Sequence, residues 1–84
     1  KQREKKLRFT YKEQKEFETI DDDIARLEAK IENLDEEILK NATNSLRLGE
    51  LVAEKEGVEA ELEEKMERWV YLNDLNERIQ EAKE

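Results

Sequence analysis

The sequence predicts an all-α fold: a two-helix antiparallel coiled-coil hairpin with an extended N-terminal segment folded back on its open end. Three observations carry that prediction. Apolar residues recur at alternating steps of three and four through Phe17, Ile20, Ile24, Leu27, Ile31, Leu34 and Ile38, which is a heptad seam. A second apolar series, Leu48, Leu51, Val58, Leu62, Met66, Trp69, Leu72 and Ile79, runs out of phase with the first. The break between them falls in KNATNS (40–45), where Asn and Thr are poor helix formers and Asn44 or Ser45 suits the start of a new helix.

Residues 1–10 read as a basic linker and extended segment. Leu7, Phe9 and Tyr11 alternate with Arg8 and Thr10, the period of two that marks an extended strip. Thr10 followed by Glu13 offers a capping box, the hydroxyl taking the Glu13 amide while the carboxylate reaches back. The hairpin then occupies 11–84, with a first helix over about 11–41, a turn at about 42–45 and a second helix over about 45–82. Doubling back near Thr43 sets Phe17 against Trp69, Ile20 against Met66, Ile24 against Leu62 and Ile38 against Leu48. The two aromatic clusters, LRFTYKEQKEF (7–17) and ERWVYL (67–72), thereby become one cluster at the open end. The second helix outruns the first, leaving Leu72, Leu75 and Ile79 bare. Residues 6–10 are expected to cover them, because an extended chain rises about twice as fast per residue as a helix.

Composition excludes most chemistry. Eighty-four residues hold one small domain, and 48% charged residues with no Pro and two Gly is the profile of a long helix or coiled coil. With neither Cys nor His, thiol chemistry, disulfides, imidazole acid–base work and the common zinc sites are absent. Carboxylates are plentiful, but a two-helix hairpin encloses no cleft in which a pair could act, so no catalytic residue is assigned. Gly49 and Gly57 are isolated within a helix and no phosphate-binding loop is present, so no cofactor is assigned either. Asp21, Asp22 and Asp23 point about 100° apart on a helix and cannot converge on one ion; they read as a solvated acidic face, and no metal site is assigned. No apolar run approaches the ~20 residues of a membrane span, and no signal-like stretch appears. Lys rather than Met at position 1 suggests a piece of a longer, cytoplasmic protein.

Charge is unevenly spread. Residues 1–16 carry seven Lys/Arg against three Glu, a net +4, while residues 17–84 carry nine against twenty-one, a net −12, together the total of −8. An acidic body repels nucleic acid and anionic membranes, so any electrostatic footprint belongs to the first segment. Lys1, Arg3, Lys5, Lys6 and Arg8 form the candidate nucleic-acid-binding set, able to contact about four or five phosphates; the competing reading is a solvated tail. Lys40 and Arg47, beside the Asn, Thr and Ser of the turn, make a second candidate at the hairpin tip. Trp69 is expected to pack in the core against Phe17 rather than to stack on a nucleobase, and Tyr71 to lie on another, exposed face. Lys55 occupies a seam position opposite Ile31, its ammonium either snorkelling out or pairing with Glu28 or Glu32.

LRFTYKEQKEFE (7–18) and EEKMERWVYL (63–72), separated by an acidic hairpin, resemble the C-terminal coiled-coil domain of ABC-F proteins, ATPases with two ATP-binding cassettes and no membrane domain. The family's usual opening, close to L-S-Y-K-E-Q-x-E, matches Leu7, Thr10, Tyr11, Lys12, Glu13, Gln14 and Glu16, with Thr10 for the usual Ser. Its R-W-x-x-L matches Arg68, Trp69 and Leu72. The resemblance implies a module that follows the second cassette of a parent ATPase. In the Uup-like subgroup it implies DNA binding, and in the wider family ribosomal RNA. Because its seams close within one chain, the hairpin is expected to be monomeric. The alternative is an arm that docks on the cassettes or a partner protein; self-association through unsatisfied seams is a third possibility.

Overall fold

The computed structural model describes residues 7–83. They form two helices, α1 (Tyr11–Lys40) and α2 (Ser45–Lys83), folded back on each other through a turn at 41–44. The result is a rod of 71 × 19 × 16 Å. Thr10 caps α1 in an extended conformation (φ −70°, ψ 168°) and completes the capping box. Its Oγ1 accepts from the Glu13 amide at 3.1 Å and its own amide donates to Glu13 Oε1 at 3.0 Å.

The turn is built by asparagine side chains, with no glycine. Asn41 ends α1, donating its backbone N–H to the carbonyls of Glu37 and Ile38 and its Nδ2 to the Glu37 carbonyl at 2.8 Å. Asn44 then starts α2, its Oδ1 accepting from the Arg47 amide at 3.2 Å. Two adjacent helix ends are thus satisfied by short amides, which is why this stretch reverses direction without a left-handed residue.

The seam of α1 is the predicted one. Ile20 and Leu34 are buried, and Leu27, Ile31 and Ile38 pack on a central cluster of Leu34, Leu51 and Val58. The seam of α2 differs from expectation. Its buried column steps by seven from Leu51 through Val58, Leu72 and Ile79, and the intermediate position is Lys65, not Met66. Met66 lies one residue off the seam and is 46% exposed. Lys65 is tolerated because its stem packs along the helices while its ammonium meets Asp23 Oδ2 at 3.1 Å. Lys55 likewise stays half-buried by pairing across the hairpin, but its partner is Asp35, at 2.6 Å, rather than Glu28 or Glu32.

Trp69 is the principal correction. Its indole remains 39% exposed, and its Nε1 donates to Asp21 Oδ1 at 2.7 Å. A polar edge with a carboxylate in reach draws the ring to the flank of the seam instead of into it. Phe17 packs instead on Phe9, with ring centroids 5.0 Å apart, so the residue just before the cap closes on the second turn of α1. Leu72 is fully buried and Ile79 nearly so, which means the apolar ridge of α2 beyond α1 is not bare. Residue 6 of the predicted covering strip lies outside the described residues.

Candidate nucleic-acid interface

The open end is fastened by side chains from the two most distinctive sequence stretches. Glu13, already in the capping box, accepts from the Tyr71 hydroxyl at 2.6 Å. Arg68 lies over the Tyr71 ring, 4.8 Å from its centroid, and donates through Nε and a terminal nitrogen to both oxygens of Glu16, at 2.9 and 2.8 Å. This fork-to-fork pairing is the strongest geometry an Arg–carboxylate pair adopts. The electrostatics follow from it. Glu13 is held below the usual carboxylate range, first by the Tyr71 hydroxyl and then by the Thr10 amide. Glu16 is lowered chiefly by Arg68, and Tyr71 is raised first because its hydroxyl donates to the Glu13 carboxylate, a bond that ionisation would lose. Asp21 and Asp23, expected on a solvated face, are also used across the hairpin, by Trp69 and Lys65.

Among the sequence-predicted contact residues, Lys1, Arg3, Lys5 and Lys6 lie outside the described residues. Arg8 is exposed beside the start of α1. At the tip, Lys40 and Arg47 are exposed but each sits near a carboxylate of its own helix, Glu37 at 3.8 Å and Glu50 at 3.2 Å. The tip also presents the exposed side chains of Leu39 and Leu46. It is therefore a mixed surface, not a basic one.

A stronger cationic surface runs along α1. All five of its Lys and Arg residues, Lys12, Lys15, Arg26, Lys30 and Lys40, fall within an arc of about 100° when the helix is advanced at 3.6 residues per turn. Only Asp22 and Glu37 share that flank. Six carboxylates, Glu18, Asp21, Glu28, Glu32, Asp35 and Glu36, line the opposite flank, which has no α1 cation at all. Arg8, Lys12, Lys15 and Lys30 take part in no ion pair among the described residues, and Lys15 lies 5.6 Å from the ring centre of Tyr11. Toward the middle of the rod this flank borders a shallow groove lined by Asp23, Arg26, Leu27, Lys30, Glu61 and Lys65. The separation lies in position around the helix and not in the net charge of any segment, which is why the order of charges along the chain does not display it.

Residues 8–74 match the sequence profile of the ABC transporter C-terminal domain. The chain belongs to that family. It is 35% identical over 78 residues to an uncharacterized ABC transporter ATP-binding protein, YfmR, of Bacillus subtilis (strain 168). The match covers 93% of this chain and 12% of the relative's length. No solved structure matches the chain at a significant level. The matched profile describes a C-terminal domain, and this chain forms it as a two-helix hairpin. The motif residues that carried the resemblance have structural work to do in this domain: Glu13 and Glu16 receive Tyr71 and Arg68, and Leu72 is fully buried in the core. No helix among the described residues is long and apolar enough to cross a membrane.

Proposed function

We propose that this ABC transporter C-terminal domain contacts nucleic acid, DNA or ribosomal RNA, on behalf of its parent ATPase. The contact uses the basic N-terminal residues Lys1, Arg3, Lys5, Lys6 and Arg8 together with the cationic flank of α1. The observation that supports this reading is the segregation of charge on α1, where Lys12, Lys15 and Lys30 continue the basic N-terminal run along one side of an otherwise acidic rod. Phosphates attract such a row through counterion release, without reading sequence. Lys40 and Arg47 contribute less, because each already shares its charge with a glutamate.

Fluorescence anisotropy of labelled duplex DNA and of structured RNA, titrated at several salt concentrations, tests the proposal. Reversing Lys12, Lys15 and Lys30 to Glu is expected to weaken binding at least tenfold and to flatten its salt dependence, since each lost phosphate contact removes roughly 0.7–0.9 from the log–log slope. Reversing Lys40 and Arg47 should do less. Absence of binding at low salt, or binding indifferent to the α1 reversals, refutes it. The second reading, an arm that docks on protein, is favoured by a different observation, the exposed apolar cluster on the acidic flank.

A further inference from the structure

On the flank of the rod opposite the cations, Met66, Trp69 and Val70 stand together, at the i, i+3 and i+4 spacing that puts side chains on one helical face. They are 46%, 39% and 61% exposed, an unusual concentration on a chain that is otherwise nearly half charged. The indole Nε1 is bonded to Asp21, which keeps the ring at the flank of the seam and partly exposed instead of in the core. Carboxylates surround it. Glu18 and Asp21 stand on the adjoining flank of α1, and Glu63 and Glu59 lie one and two turns back from Met66 along α2.

We infer that this cluster is a docking site for an amphipathic helix of another protein, one that carries Lys or Arg beside its apolar stripe. The apolar centre and acidic rim are complementary to that chemistry and to little else. An aliphatic side chain of the partner packs against Met66 and Val70, the thioether adapting to its shape. A partner cation reaches the indole face and the rim carboxylates. A second copy of this chain is a poor occupant, because a two-fold contact through the patch would set Glu59 and Glu63 against like charges. This gives the protein-docking reading its partner class. It shares no residue with the cationic flank, so the failure of either surface leaves the other standing.

Trp69 is the sole tryptophan, so its emission reports occupancy of the patch directly. The probe is a labelled helical peptide of alternating leucine and lysine pairs, with a leucine–glutamate peptide of the same pattern as control. The lysine peptide is expected to shift Trp69 emission to the blue and bind saturably, and the glutamate peptide to do neither. Val70→Glu decides between docking and general attraction to an acidic chain. Docking requires that this substitution weaken binding at least tenfold, whereas non-specific attraction would leave it unchanged or strengthen it. Val70 is exposed, so the variant keeps its fold, and circular dichroism checks this; Val70→Ser gives the same test without added charge. No emission shift, binding that survives both variants, or concentration-dependent dimers lost in Val70→Glu would overturn the inference.

Discussion

At the residue scale, burial separates side chains that look equivalent in the sequence. Leu72 and Met66 are both large apolar members of the second series, yet Leu72 is 0% exposed and Met66 lies off the seam. Leu72→Ala should therefore cost about 2–4 kcal/mol in a urea titration, and Met66→Ala less than about 1 kcal/mol. Equal costs would contradict the seam described above. The fork between Arg68 and Glu16 is well formed but sits at the surface, where solvent screens it. A double-mutant cycle with Arg68→Ala and Glu16→Ala should give a coupling of about 0.5–1 kcal/mol that shrinks in salt. Lys65 shows why residue type alone misleads. A lysine can hold a core column when a cross-helix carboxylate such as Asp23 receives its tip.

At the element scale, each helix is set by its ends and by one apolar edge. Capping at Thr10, Asn41 and Asn44 defines three boundaries; the Thr10 box and the Asn44 cap were legible in the sequence, whereas the return of Asn41 Nδ2 to the Glu37 carbonyl was not. Helix α2 carries two glycines that serve no turn, and a Cβ at either would meet nothing within 4 Å. Gly49→Ala and Gly57→Ala should each raise stability by about 0.5–1 kcal/mol, read as a higher melting temperature. A loss at either position would mean that the outer face of α2 is occupied. The α1 seam was legible because seven apolar residues follow one phase without interruption. The α2 seam was not, because two lysines sit in its columns and apolar residues lie just beside them.

At the scale of the whole molecule, the hairpin is a rod with three distinct regions: a fastened open end, a cationic flank and an acidic flank with an apolar centre. The open end should be the part sensitive to acid. Glu13 and Glu16 have lowered pKa values in the folded chain, so the unfolded chain takes up protons first as pH falls. Their contribution is complete above the ordinary carboxylate value of about 4.3 and is lost as pH drops through their lower folded values. Amide exchange across residues 11–17 and 68–72 should accelerate relative to residues 31–58 when the pH is lowered from about 6 to about 3, once corrected for intrinsic rates. Uniform acceleration along the rod would count against a local clasp.

The sequence by itself determined the hairpin, its caps and its turn, because heptad phase, cap chemistry and helix-breaking residues are local properties of the chain. It also carried the motifs of the ABC transporter C-terminal domain. Only the tertiary structure decided that Trp69 bonds to Asp21 at the flank, that Lys55 and Lys65 find Asp35 and Asp23, and that Phe17 rests on Phe9. Those outcomes depend on which polar atom comes within about 3 Å of another across two helices. That distance is fixed by register and rotation, which a list of residues in order does not contain.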